Sequence, residues 1–271
     1  IMNGCFSGAA PMCDHRQMFA ERRVELRFGH ESQAAQTHTN LSAVRLEGNC
    51  LWAAGDETAT IERLTATVDD QGRVTAFGVS PRPTSPGRPP GHRGFALADL
   101  VPLPAGPDAE ADIEGIAHSG GWLWAVGSHS LKRKKVKSHQ SAAKARRRLA
   151  TLEREENRFI LARLPLVAGA DGLPEVARDT ADGRTAALLG GHGDAITDLL
   201  AGDPHLSPFL AIPGKDNGVD IEGVAVRGDR LFVGLRGPVL RGWAVLIELR
   251  PDTHPGDPHR LRPQLDEHGP A

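Results

Sequence analysis

The tetrapeptide Asp-Ile-Glu-Gly occurs twice, at residues 112–115 and 220–223. Carboxylates converging from repeated positions suit Ca²⁺, a hard cation that takes six to eight oxygen ligands. Held by Asp112, Glu114, Asp220 and Glu222, such an ion would polarise a phosphoryl or acyl oxygen and lower the pKa of a bound water. Basic and polar residues accompany each pair: His129 and Lys132 follow the first, Arg236 and Arg241 follow the second, and the loop PGKDNGVD brings Lys215 and Asn217 just before it. Arginine beside a carboxylate forms bidentate pairs. The same side chains therefore fit an anionic ligand held with or without a bridging cation, or a set of salt bridges that locks neighbouring elements together. Two functions follow as expectations: a calcium-assisted phosphoester or ester hydrolase, and a non-catalytic protein- or ligand-binding scaffold.

The elements that position these residues form a repeat. Three segments align without a gap: NLSAVRLEGNCLWAAGD from Asn40, DIEGIAHSGGWLWAVGS from Asp112 and DIEGVAVRGDRLFVGLR from Asp220. Each has glycine ninth (Gly48, Gly120, Gly228), leucine twelfth (Leu51, Leu123, Leu231) and an aromatic thirteenth (Trp52, Trp124, Phe232). A glycine between two apolar runs of strand length predicts a β-hairpin. A further strand candidate follows each copy: TATIERLTAT, RFILARLPLV and WAVLIELR. Three or more strands per unit predict an all-β, propeller-like fold of repeated antiparallel blades. Each hairpin brings its first and last residues to one rim, and strand alternation projects each Asp/Glu pair to one face. The first copy carries Asn40 and Ser42 instead, which excludes a symmetric metal ring.

Hydrophobic content of 39% and charged content of 24% are enough for a sizeable core, so neither metal nor disulfide is needed to hold the fold. Three cysteines without CxxC spacing argue against a disulfide framework, and a reduced cytoplasm is the expected compartment. The start lacks a signal-peptide pattern, and no stretch is long and apolar enough to span a membrane. Residues 1–36 read as a variable or disordered leader, 37–262 as the propeller-like domain and 263–271 as a truncated tail. Proline and glycine make residues 80–94 a surface loop. A short helix is predicted over residues 195–201 with Asp194 as N-cap, and a longer one within SAAKARRRLATLEREENR.

Residues 131–158 form a basic helical insertion with 11 of the 32 Lys and Arg and 3 of the 34 Asp and Glu. Polyanion binding is one reading of it. The absence of interleaved aromatics and the acidic remainder of the chain argue against nucleic acid. Ser128-His129 is no nucleophile–base pair, because adjacent residues on an extended chain point apart. Neither a GxSxG elbow nor a glycine-rich phosphate loop occurs.

The strings GSHSLKRKK, ATLEREENRFILARLPL, PHLSPFLAIPGKDNGVDIEG and AVRGDRLFVGLRGPVLRGWAVLIEL resemble the bacterial family designated domain of unknown function 3616, over roughly residues 40 to 262. The resemblance implies a propeller-like all-β fold and no established activity. It also implies that the chain stops short of a further repeat, leaving an incomplete ring. The four residues DIEG are similar to an element of phytase-like esterase propellers.

Overall fold

The computed structural model describes residues 23–80 and 91–264. Three antiparallel units follow one another. The first comprises β1 (Glu25–Arg27), β2 (Leu41–Glu47), β3 (Cys50–Gly55), β4 (Thr60–Val68), β5 (Val74–Gly78) and β6 (His92–Ala96). The second comprises β7 (Ile113–Ser119), β8 (Trp122–Gly127), the short pair β9 (Lys132–Arg133) and β10 (Leu152–Glu153), then β11 (Leu161–Ala168), β12 (Pro174–Val176) and β13 (Ala187–Leu189). The third comprises β14 (Asp220–Arg227), β15 (Arg230–Leu240), β16 (Trp243–His254) and β17 (Asp257–Gln264).

Each unit has a four-stranded ladder: β2-β3-β4-β6, β7-β8-β11-β13 and β14-β15-β16-β17. The ladders confirm the repeat and the all-β, propeller-like fold. The ninth-position glycines occupy the hairpin turns with φ of 56°, 60° and 64°, the left-handed region that a two-residue turn requires and that glycine adopts at low cost.

Face-to-face packing joins the units, and β13 also pairs in parallel with β17, so the second and third ladders run on in one sheet. Between the first and second lie Trp52, Ile61, Phe95, Ile113, Leu123, Ile160 and Leu164. Between the second and third lie Trp124, Val126, Leu161, Ile196, Ile221, Val233 and Leu261. Burying each large apolar side chain contributes about 1.5–3 kcal/mol, so these two layers set the relative placement of the units. The opening strands run side by side, with β7 between β2 and β14. A Cβ on Gly115 would lie 2.8 Å from the Val224 nitrogen, so the glycine of the first DIEG permits this close approach. The Ser42 hydroxyl donates to the Ile113 carbonyl, tying β2 to β7. Ser42→Ala is expected to lower the unfolding free energy by about 1 kcal/mol or less, read from the urea midpoint at unchanged m-value.

Several local expectations differ from the structure. Within the segment read as leader, β1 pairs in parallel with β5, and α1 (His30–Ala34) is tied down by the Ser32 hydroxyl on Glu62 at 3.1 Å. Residues 1–22 lie outside the described residues, as do 265–271 of the tail. The core of the proline-rich stretch, 81–90, is likewise outside them, while its end belongs to β6, which leads into α2 (Leu97–Leu100).

The longer helix lies where expected, as α3 (Ala142–Ala150), capped by the Ser141 hydroxyl accepting from the Lys144 amide at 3.4 Å. Its glutamates fall outside it: Glu153 pairs with Lys134 at 2.8 Å and Glu155 with Lys132 at 2.5 Å. The helix keeps Arg147 and Arg148 in its last turn, where the macrodipole favours them. The other helix, α4 (Ile196–Leu199), has Ala195 at its cap, with the Ala195 amide bonded to Asp198 at 2.9 Å. Asp194 instead accepts the Gly190 amide at 3.1 Å and pairs with Arg260 at 3.0 Å.

Candidate functional site

One feature recurs at the opening of all three units. In the first, Leu41 pairs with Gly55 and Ala43 with Ala54, leaving Ser42 as an extra residue. Glu114 and Glu222 are the corresponding extra residues, between Ile113 and Gly115 and between Ile221 and Gly223. A bulge of this kind re-aims a side chain and raises local twist. Strand alternation is therefore not what orients the Asp/Glu pairs; the third position escapes it by bulging. Asp112 also departs from regular strand backbone, with φ of 49°, a region that aspartate enters more readily than most residues.

The bulged ends surround a cavity of about 490 Å³, walled by Asp56, Asp112, Glu114, Asp216 and Asp220 together with Lys132, Arg133, Lys135, Arg158, Lys215 and Arg236. Asp112 and Asp220 lie on its buried side, at 5% and 3% exposure, whereas Arg133, Lys135 and Lys215 are exposed at its outer side.

Most of these charges are paired. Arg158 binds Asp112 and also donates to the Ser130 hydroxyl at 3.0 Å. Arg236 binds Asp220 and reaches Glu222 at 2.5 Å. Arg133 holds Asp216 at 2.5 Å, and Lys132 holds Glu155. Four groups of the wall have no ion-pair partner among the described residues: the carboxyls of Asp56 and Glu114, and the ammoniums of Lys135 and Lys215.

The repeat explains this imbalance. Its seventeenth position is Asp56 in the first copy, Ser128 in the second and Arg236 in the third. The third copy thus carries an arginine for its own acids. The second copy has serine there and receives Arg158, which reaches Asp112 and leaves Glu114 without a base. In the first, Asn40 donates to Glu57 at 2.6 Å and Ser42 serves the contact to β7, so Asp56 is the only acid that copy supplies to the wall.

Electrostatics follow the pairing. Burial, reinforced by the negative charges of Asp112, Glu222, Asp56 and Asp220, pushes the Glu114 carboxyl up to about 7. Glu114 therefore exchanges its proton near neutrality. Burial also raises Asp112 and Asp220 above the usual carboxylate range, outweighing their arginines, and it raises Glu222. One oxygen of Asp56, Oδ1, is buried without a hydrogen-bond partner among the described residues.

Not every residue expected at the rim reaches the cavity. His129 is buried behind it; its Nδ1 is 2.9 Å from the Gly127 carbonyl, and its ring meets Phe159 edge-on. Burial holds its pKa down to about 4, so it is neutral and donates from Nδ1 at physiological pH. Arg241 is exposed in the β15–β16 turn and does not line the cavity. Asn217 lies in an adjoining shallow opening with Lys215 and Arg236, and its Oδ1 accepts the Val239 amide at 2.9 Å. Lys132 lines the cavity in its pair with Glu155. The sequence reading missed Arg133, Lys135 and Arg158. Asp56 was legible from its place in the repeat; Arg158 has no local signal, since it reaches Asp112 from 46 residues away.

Among the described residues, no group of three or more His, Cys, Asp or Glu side chains is placed to hold a metal ion, and no helix is long and apolar enough to cross a membrane.

No curated protein matches the chain. Among solved structures, the computationally designed Ika8 protein is similar at 12% identity, with 77% of this chain covered and a TM-score of 0.19. The match spans 61% of the designed protein. The model of the family described as protein of unknown function (DUF3616) matches residues 40–270, in agreement with the repeat and the propeller-like ladders, and the chain belongs to that family.

Proposed function

We propose that this protein is a ligand-binding domain whose rim cavity takes a small anionic molecule. The observation that carries the reading is the pair of ammonium groups, Lys135 and Lys215. They reach one cavity from separate segments and have no carboxylate partner among the described residues, while Arg133, Arg158 and Arg236 each hold an acid. An anion seated there completes the charge pairing of the outer wall. Calcium-assisted hydrolysis, the sharper expectation from the acidic pairs, competes with the arginines for the same carboxylates.

Thermal melts separate these readings, because a ligand that binds only the folded state raises Tm by an amount that grows with the logarithm of its concentration above Kd. Inorganic phosphate and pyrophosphate are expected to raise Tm at low salt. The Lys135→Ala/Lys215→Ala double variant should need about tenfold more anion for the same rise. No rise at tens of millimolar phosphate and pyrophosphate would sink the anion reading. Stabilisation by Ca²⁺ that disappears in Glu114→Gln would favour the cation and hydrolase reading in its place.

A further inference from the structure

We infer that the ligand is a small zwitterion, with its anionic group on Lys135 and Lys215 and an ammonium group between Asp56 and Glu114. The inference rests on the anion-binding reading above and names the class of molecule. Its basis is what remains after pairing within one cavity: two carboxyls and two ammoniums, segregated by depth.

The acidic half stands on Asp56 and Glu114, which come from different units. Asp56 ends the first hairpin and Glu114 is the bulged residue of β7, so the packing of the first two units brings them to one cavity. Asp56 lines the cavity, and its Oδ1 has no hydrogen-bond donor among the described residues. Glu114 lies in the field of Asp112, just before its own strand, of Asp56 from the first unit, and of Asp220 and Glu222 from β14. Of the cations nearby, Arg158 is held by Asp112 and Arg236 by Asp220 and Glu222. Among the described residues, the inner wall thus leaves Asp56 and Glu114 without a cation of their own, since its arginines are held by other acids.

An ammonium supplies that charge, with three donors and no acceptor. A calcium ion is the poorer match, because the further carboxylates it would recruit, Asp112 and Asp220, are held by arginines. A plain dianion is poorer too, since its far end would meet unpaired carboxyls.

The test compares two matched series of probes on the full chain by titration calorimetry: aminoalkyl phosphates of two to six carbons, and hydroxyalkyl phosphates of the same lengths. Spanning the lengths keeps the result independent of the separation between the two charges. At the best length the amino compound is expected to bind at least about tenfold more tightly than its hydroxyl counterpart. The isosteric variants Asp56→Asn and Glu114→Gln should each reduce that preference, and together bring it to about twofold or less. Melting curves establish that both variants are folded, and the wild-type comparison alone is decisive if either is not. Equal binding of the two series, weakened by Lys135→Ala and Lys215→Ala, would overturn the zwitterion and leave the anion site standing. Calcium raising the hydroxyl series to the affinity of the amino series would place a metal at the carboxyls and overturn it as well. No binding by either series would remove both this inference and the anion reading.

Discussion

Arg158→Met is expected to lower the unfolding free energy by about 3–5 kcal/mol at pH 7, because it strands the carboxyl of Asp112 in a buried site. Asp112 is 5% exposed, and Arg158 is the one basic side chain paired with it among the described residues. Burial already holds the Asp112 carboxyl above the usual range against the pull of Arg158. Without the arginine that carboxyl is protonated more readily, so the loss should shrink as pH falls and Asp112 becomes neutral in both proteins. Adding Asp112→Asn removes the stranded charge, and the double variant should recover about half or more of the loss. Urea denaturation of the wild type, both single variants and the double variant measures the coupling. A single-variant loss under about 1 kcal/mol, or a double variant no better than Arg158→Met, contradicts a buried pair that holds the rim together.

The second large effect has the opposite sign. Glu114→Gln should stabilise the protein above pH 7, by about 1–3 kcal/mol after allowance for the water that reaches this half-buried group. The folded protein holds the Glu114 proton up to about pH 7, whereas a free glutamate has a value of 4.5. Between those two pH values the folded state binds more protons than the unfolded one. Stability therefore falls as pH rises through that window, and the penalty is fully present above it. Asp112, Asp220 and Glu222, also raised, contribute slopes of the same sign, but they are present in both proteins. The difference between the wild-type and Glu114→Gln curves isolates residue 114. It should be small at pH 4, grow from about pH 5 and level off above pH 7. A flat difference curve would mean that Glu114 is not held protonated by its surroundings. Stabilisation on removing a charge is expected at a site kept for binding, where the folded state carries an unpaired group that its ligand would satisfy.

The carboxylates expected to share a metal divide unequally in the structure. Asp112, Asp220 and Glu222 have arginines, as the salt-bridge alternative holds, and Glu114 has none. The rim is therefore locked over most of its circumference and open at Asp56 and Glu114. This division follows from pseudo-symmetry: the seventeenth residue of the repeat is acid, hydroxyl or base by turns, so the three units cannot neutralise themselves in the same way.

The hairpins, their left-handed glycines and the order of strands were legible in the chain because they depend on contacts a few residues long. Gly48, Gly120 and Gly228 each terminate a local alternation, and the residues that pair across each turn are near in sequence. The bulges were not legible, since the register that skips Ser42, Glu114 and Glu222 shows only when the strands are paired. The helix after residue 141 stops before its neighbouring glutamates, good helix formers, because Glu153 and Glu155 pair with Lys134 and Lys132 instead. Charge pairing was the least accessible property. The attraction of Arg158 for Asp112 depends on distance in space and on exclusion of water, and both arise when the second unit closes on the segment after β10. The repeat settled that three hairpins, two of them opening on Asp and Glu, share a rim; packing settled which of those acids has a base, because burial and proximity belong to the folded chain and not to the order of its residues.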